Sequence, residues 1–212
     1  QMSGIYMDAK AEIRNGYFNY YFPNGKKSEE GAYDKNFPDG EWKYYYTSGT
    51  LKRVRHFVRG LPEGKHMFFD SLSHKLFFEE NYLHGKLHGE YISYFRGKDF
   101  KHNLRTYKYD RLNGLAINYD SASQKKLDEG MYENDLRTGK WHFYPWEGHT
   151  WGVLEPDLHI YLTFEHDKLN GPAEYYDLNG KLLAKGLFIL EQQSGKWTYH
   201  HNDPGPWVIE EG

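Results

Sequence analysis

The sequence predicts an all-β chain, an elongated and twisted antiparallel β-meander built from about eight tandem two-stranded hairpin repeats of 24–25 residues. Aromatic residues make up 18% of the 212 residues, and tyrosine, whose ring suits half-buried positions, is the commonest of them. Short stretches with aromatic side chains at alternate positions are typical of strands. A glycine also recurs at nearly constant spacing, which indicates a repeat architecture.

The repeat is defined by its first glycine and by two aromatic columns. Units begin at Gly16, Gly40, Gly64, Gly89, Gly114, Gly139, Gly171 and Gly195. The fifth residue after this glycine is aromatic in every unit except the last, which has His200, and the seventh residue before the next glycine is always aromatic. This regularity predicts packing between adjacent units. The array covers residues 16–200, between an N-terminal segment (1–15) and a C-terminal tail or cap (201–212).

Each unit is predicted to contain two strands, illustrated by the second unit. Its first strand covers residues 40–46, and a tight turn at Ser48-Gly49 follows, because such turns need a positive φ. The second strand begins at Leu51 and carries more charge. A second loop closes each unit, at residues 37–40, 61–64 and 112–114, and places the next unit glycine at a turn exit. Consecutive strands joined by short loops are antiparallel. Only residues 7–15 suggest a short helical turn.

Composition narrows the function classes. The net charge of −3 predicts no nucleic-acid binding, which favours basic surfaces, and the absence of cysteine excludes disulfides and thiolate metal sites. No apolar run reaches the roughly 18 residues of a transmembrane segment. The compartment stays open, although a chain that starts at Gln1, as if processed, favours a bacterial periplasm or cell surface over the cytoplasm.

The polar residues predict neither an enzyme nor a cofactor or metal site. His84 and His88 fall in a predicted loop, where helical spacing has no meaning, and the neighbouring pair His200-His201 would point to opposite faces of a strand. The carboxylate pairs recur at nearly one phase of the repeat, so we expect a solvated stripe instead of a catalytic pair. These pairs are Glu29-Glu30, Glu79-Glu80 and Asp128-Glu129.

The second residue after the unit glycine is the column that varies. It contains Phe18, Trp42, His66, Tyr91, Ala116, Trp141, Ala173 and Trp197. Recognition positions diverge between repeats more readily than packing positions, so Trp42, Trp141 and Trp197 are candidate partner-binding residues, although packing is their favoured role. The insertion in the sixth unit, around residues 145–156, adds Trp146 and Trp151. It either contacts a partner or folds back over one face of the sheet.

The unit pattern G-x-W-x-x-Y-Y-x-x-G-x-L resembles the MORN repeat, and most closely its MORN-2 variant in bacterial YwqK-family antitoxins. The matching stretches are residues 15–27, 40–52, 88–95, 138–148 and 170–186. The resemblance covers residue 15 to about residue 200. It implies a non-catalytic scaffold that binds a protein partner of unknown identity through its β surface, in an antitoxin-like or immunity-like role. Partner and oligomeric state stay open.

A carbohydrate or cell-wall binding module is the alternative function, because glycans stack on exposed aromatic rings. Burial of the three candidate tryptophans decides between the two hypotheses. A glycan site needs Trp42, Trp141 or Trp197 to be exposed, with polar groups nearby, whereas a scaffold would bury them.

Overall fold

The computed structural model describes residues 2–3, 13–145 and 158–200, and every regular element within these ranges is a β-strand. The strands are β1 (Met2–Ser3), β2 (Gly16–Tyr21), β3 (Lys27–Asp34), β4 (Phe37–Tyr45), β5 (Leu51–Val58), β6 (Leu61–Pro62), β7 (Gly64–Phe69), β8 (Leu76–Leu83), β9 (Lys86–Leu87), β10 (Gly89–Tyr94), β11 (Lys101–Lys108), β12 (Arg111–Tyr119), β13 (Lys126–Glu133), β14 (Leu136–Phe143), β15 (His159–Glu165), β16 (Lys168–Tyr176), β17 (Leu182–Ile189) and β18 (Gln192–Tyr199). The predicted all-β fold is confirmed.

The chain folds into two compact units, residues 1–114 with 119–124 and residues 115–118 with 125–212. In the first unit, β1 pairs with β2, and β2 to β5 pair in chain order. There β5 pairs with both β6 and β7, β7 with β8, β8 with both β9 and β10, and β10 with β11. In the second unit, β13 to β18 pair in chain order. Every one of these pairs is antiparallel, which confirms the meander of hairpins.

Residues 37–40 do not form the predicted loop. Phe37, Pro38 and Asp39 belong to β4 and pair with the end of β3. The tight turn lies two residues earlier, at Lys35 and Asn36, which both have positive φ values, 47° and 73°. Two consecutive positive φ values are the geometry of a type I′ hairpin turn. The sequence did not reveal it because neither residue is glycine.

The three turns predicted at Gly25, Gly49 and Gly180 agree with the structure, whereas Leu61 and Pro62 form β6 and residues 112–114 lie in β12, where loops were also predicted. Gly25, Gly49 and Gly180 have positive φ, and the loop around Gly49 closes through a hydrogen bond from the Tyr46 N–H to the Thr50 carbonyl. The helical turn suggested for residues 7–15 falls largely outside the described residues. The insertion from residue 146 to residue 156 and the tail at 201–212 lie outside them entirely.

The unit glycine occupies a β-bulge instead of a turn exit. Between β3 and β4 the register shifts, so that residues 40–42 lie opposite the single residue Gly31. The same shift places residues 139–141 opposite Gly130, and residues 195–197 opposite Gly186. At Gly40 the backbone has a φ of 75°, which L side chains rarely adopt. The bulge turns the third residue, Trp42, over the facing glycine.

Candidate functional site

Most of the divergent column is buried, which agrees with packing as its role and leaves little surface for recognition. Trp42 has only 1% of its surface exposed and Trp141 only 4%, while Trp197 is half-buried. Four further members of the column are also buried, namely Phe18, His66, Ala116 and Ala173. A ring with so little exposed surface is not available to a sugar or a protein partner. Trp146 and Trp151 lie outside the described residues.

Size complementarity explains why a core column varies. A Cβ atom added to Gly31 would lie 2.3 Å from the Trp42 ring, and one added to Gly130 would lie 2.1 Å from the Trp141 ring. The indole therefore occupies the space that a side chain on the facing strand would need. Where the column holds the small residue Ala173, the register partner is Leu162. Each of these tryptophans faces a glycine, whereas Ala173 faces Leu162, so the two columns must be compared together.

Trp42, Trp141 and His66 each bond a buried nitrogen of this column in the same way. The Trp42 indole N–H donates to the Ala32 carbonyl at 2.9 Å, and the Trp141 N–H donates to the Met131 carbonyl at 3.2 Å. In the third repeat, His66 Nε2 lies 2.9 Å from the His56 carbonyl, where it donates in the same way.

The imidazole of His66 is held neutral by its surroundings. Burial is the main cause that lowers its pKa to about 4, and the positive charge of Arg55 adds to the effect. The hydrogen bond to the His56 carbonyl opposes this lowering but does not cancel it. His66 therefore takes the place of the tryptophan as a neutral buried donor.

The carboxylates do not form the expected solvated stripe. The Glu30 side chain is only 13% exposed and accepts hydrogen bonds from Lys27, Tyr17 and Tyr45. Burial alone would raise the pKa of Glu30, but these hydrogen bonds outweigh it and lower that pKa to about 2. The prediction failed because it counted the aromatic column only as rings, whereas Tyr45 binds through its hydroxyl.

The same arrangement recurs in two other repeats. Glu129 accepts hydrogen bonds from Lys126 at 2.7 Å and from the Tyr144 hydroxyl at 2.5 Å. Glu79 accepts one from Lys65 at 3.1 Å. The Tyr94 hydroxyl donates to Glu79 at 3.3 Å. In these three cases, the tyrosine five residues after the unit glycine bonds its own repeat to a glutamate of the repeat before it.

A histidine pair on β14 and β15 was not found from the sequence. His142 Nε2 and His159 Nδ1 lie 3.0 Å apart, and the His142 ring stacks on Tyr161 with ring centroids 4.1 Å apart. Burial, followed by the charge of His159, lowers the pKa of His142 to about 4. The two histidines are 17 residues apart in sequence, across the insertion, so no local spacing could connect them. Within the described ranges, no group of three or more His, Cys, Asp or Glu residues is placed to hold a metal ion.

An apolar surface lies beside the type I′ turns of the first unit. We define the turn-edge patch as Phe37, Val58 and Leu61, whose side chains are 57%, 54% and 54% exposed. Val58 and Leu61 are register partners across a hairpin. The Phe37 ring reaches this hairpin, because its Cδ1 lies 3.1 Å from the position of a Cβ on Gly60. This surface was not predicted from the sequence, because residues 37–40 were assigned to a loop.

Comparison with known proteins identifies the repeat type in two places. Residues 38–59 and residues 169–189 each match the family model of a MORN repeat variant. MORN repeats are generally non-catalytic modules that bind proteins or membranes. No curated protein matches the chain. In the part of the chain that the structure describes, no helix is long and apolar enough to cross a membrane.

The two MORN-type segments correspond to equivalent hairpins. The first contains most of β4 and β5, and the second contains most of β16 and β17. In each, the residue two places after the unit glycine, Trp42 or Ala173, is buried. The first MORN-type segment begins one residue after Phe37, contains Val58 and ends two residues before Leu61. The turn-edge patch therefore lies at the two ends of this segment.

Proposed function

We propose that this chain is a non-catalytic repeat scaffold that binds a protein partner through the turn-edge patch. The observation that supports it is the side-by-side exposure of Phe37, Val58 and Leu61, each more than half accessible. Contiguous exposed apolar groups mark contact sites, because their burial contributes about 25 cal/mol per Å². Aromatic side chains such as Phe37 are frequent anchors of protein interfaces.

The backbone behind the patch is held in place before any partner binds. The Gly60 N–H donates to the Pro38 carbonyl at 2.7 Å, which joins the turn at Arg59 and Gly60 to the start of β4. The Arg59 N–H donates to Asp39 Oδ1 at 3.0 Å. A surface that is already ordered loses less conformational entropy on binding. This favours the patch over an unsupported loop as the contact surface.

An antitoxin-like or immunity-like role is the specific form of this proposal. It rests on the resemblance of residues 40–52 and their equivalents to the YwqK-family repeats. Such a role requires a protein partner, which a scaffold with an apolar patch can bind. We expect a neighbouring gene to encode a product that stops growth when expressed alone, and co-expression of this chain to restore growth.

The glycan-binding alternative is less well supported. It needs exposed tryptophans, and Trp42 and Trp141 are buried. Trp197 is half-buried, so it retains part of its ring surface. Trp146 and Trp151 stay candidate partner contacts because they lie outside the described residues. A glycan array that detects binding lost on Trp197→Ala would favour the alternative.

The patch can be tested by quantitative pulldown from a lysate of the source cells. We expect the double variant Phe37→Ser/Leu61→Ser to lose at least about tenfold of the recovered partner, a change of about 1.4 kcal/mol in binding free energy. Leu72→Ser is the matched control, because Leu72 is 80% exposed but lies in a different hairpin loop. Equal recovery by wild type and the double variant, with unchanged melting temperature, would contradict the proposal.

A further inference from the structure

We propose that the turn-edge patch continues into a row of basic side chains, and that the two together bind an extended acidic segment of a protein partner. In that segment, large apolar side chains are followed by acidic ones. We define the basic row as Lys86, Lys108 and Arg111. The inference rests on the proposed function, because it names the chemistry of the partner that the turn-edge patch binds.

The patch and the basic row occupy equivalent positions of successive type I′ turns. In the first compact unit, these turns lie at residues 35–36, 59–60, 84–85 and 109–110, each with two consecutive positive φ values. The residues that directly follow them are Phe37, Leu61, Lys86 and Arg111. One position of the repeat is therefore apolar after two turns and basic after the next two. Lys108 directly precedes the fourth turn.

Contacts between the turns join these positions into one surface. Leu61 Cδ2 lies 3.5 Å from the position of a Cβ on Gly85, as Phe37 lies against Gly60 one turn earlier. The Gly85 N–H donates to the Pro62 carbonyl at 2.8 Å. One turn further, the N–H of residue 110 donates to the carbonyl of residue 87 at 2.9 Å. Each turn is thus bonded to the strand that follows the turn before it.

The basic row is open to solvent and its charges are unpaired. Lys86, Lys108 and Arg111 are all exposed. None of the three side chains forms a hydrogen bond or an ion pair with another residue that the structure describes. The chain as a whole has a net charge of −3, so three unpaired cations along one edge are a local excess of positive charge. A ligand from solvent can reach all three.

The carboxylates near the row do not cancel this excess. Glu63 and Asp110 each accept a hydrogen bond from a backbone N–H, at 2.7 and 2.8 Å, so these carboxylates brace the turns. The exposed Asp34 lies at the other end of the surface, because it is the register partner of Phe37. The charge therefore changes from negative near Phe37 to positive at the basic row.

This charge gradient favours a peptide over a membrane as the occupant. An anionic membrane presents negative charge evenly, so it would meet Asp34 as well as the basic row and be repelled at that end. A peptide can place its apolar side chains on the turn-edge patch and its acidic side chains on the basic row alone. Complementary charges of this kind fix the direction in which a ligand binds.

The spacing of the turns sets the spacing of the ligand's side chains. Neighbouring strands lie about 4.8 Å apart, so residues that follow successive turns, two strands apart, are separated by about 10 Å. Three residues of an extended chain cover about the same distance. A ligand of about ten residues therefore spans the four positions, with apolar side chains at its first and fourth residues and acidic ones at its seventh and tenth.

The test measures peptide binding to the full chain from amide shifts in ¹H–¹⁵N spectra. The probe is acetyl-Phe-Pro-Pro-Leu-Pro-Pro-Glu-Pro-Pro-Glu-amide, which its prolines keep extended, and the control peptide has glutamine in place of both glutamates. We expect saturable shifts at Leu61, Lys86 and Arg111, with a Kd on the order of 0.1–1 mM, and at least about fivefold weaker binding of the Gln peptide. Raising NaCl from about 50 to about 500 mM should remove the difference. Equal affinity for the two peptides at low salt would overturn the proposal.

Charge reversal locates the acidic end of the ligand. Lys86→Glu/Arg111→Glu should bind the Glu peptide at least about tenfold more weakly than wild type, at an unchanged melting temperature. Lys26→Glu/Lys52→Glu is the matched control, because it makes the same change in net charge at two exposed lysines near the opposite ends of the hairpins. This control should bind as wild type does. Equal losses in the two double variants would show that only the overall charge matters, and the proposal would be wrong.

Pulldown from the source lysate separates this inference from the proposed function. We expect Phe37→Ser/Leu61→Ser and Lys86→Glu/Arg111→Glu each to lose the partner. If only the first variant loses it, the proposed function stands and the acidic partner is wrong; if neither does, both are wrong. Vesicles of phosphatidylcholine with phosphatidylserine that bind wild type but not Lys86→Glu/Arg111→Glu would assign the row to a lipid surface and overturn the inference.

Discussion

At the scale of the single residue, the indole of Trp42 and the missing side chain of Gly31 act as one packing unit. The ring covers the glycine and its N–H satisfies the carbonyl of the next residue, Ala32. Buried polar groups that lack a partner are costly, so this hydrogen bond fixes the ring orientation as well as its depth. Trp197 differs in that its Nε1 is buried without an acceptor among the described residues.

The packing unit predicts a large difference between two glycine substitutions. Gly31→Ala should destabilise the chain by about 3 kcal/mol, because the added methyl overlaps the Trp42 ring. Gly40→Ala, the matched control, meets nothing within 4 Å and should cost only about 1–2 kcal/mol from its left-handed backbone. Urea unfolding measures both free energies. Equal losses would show that the ring moves aside freely.

At the scale of the element, the side chains that face each other across the bulge have complementary sizes. On β3, Gly31 faces the large Trp42 of β4. On β5, the equivalent position is Arg55, which faces the smaller His66 of β7. Strand type and hairpin order were predictable because aromatic alternation and turn glycines are local signals. The bulge register was not, because it depends on two residues eleven positions apart in different strands.

This size complementarity predicts that a double substitution of two facing residues destabilises the chain less than the sum of the two single substitutions. His66→Trp alone should destabilise by about 2 kcal/mol or more, because the indole would meet the Cβ of Arg55. Arg55→Gly alone should cost about 1 kcal/mol as a glycine in a strand. The double variant should recover part of the loss, with a coupling energy of about 1–3 kcal/mol in a double-mutant cycle. Strictly additive losses would contradict this size complementarity.

At the scale of the whole molecule, the repeat was enough to predict the fold. It was not enough to predict which residue columns are buried and which are exposed. Eight glycines in register predict a meander whatever its function. Which column is buried depends on the bulge, so the sequence left the divergent column open between packing and recognition, and the structure shows most of it to be buried. The tyrosine–carboxylate contacts and the His142–His159 pair were missed because they join residues from different hairpins.

Among the described residues, each compact unit has one histidine with a lowered pKa, His66 in the first unit and His142 in the second. Both pKa values are about 4, below the ordinary value of 6.5, so the unfolded chain takes up protons first as the pH falls. The stability that depends on the neutral imidazoles is complete above pH 6.5 and is lost between about pH 6.5 and 4. Each histidine contributes a slope of up to about 1.4 kcal/mol per pH unit.

Urea unfolding across this pH range tests the assignment. The double variant His66→Gln/His142→Gln should show a flatter dependence than wild type, since glutamine donates a hydrogen bond without titrating. His84→Gln is the control, because His84 is an exposed residue of a type I′ turn. Parallel curves for wild type and the double variant would refute the role of the two histidines. Below about pH 4.5, protonation of Glu30, whose pKa is about 2, adds a further loss common to all variants.

The pairing of Trp42 with Gly31 sets where such a chain can be cut and rejoined. The two residues lie on opposite sides of the turn at Lys35 and Asn36, so a repeat copied from one unit glycine to the next carries the tryptophan without its glycine. A segment bounded by the loops at residues 22–26 and 46–50 keeps both partners together. The segment that can be duplicated or transferred with its packing intact is therefore the hairpin around the type I′ turn. It is shifted by about half a period from the repeat that the glycines mark.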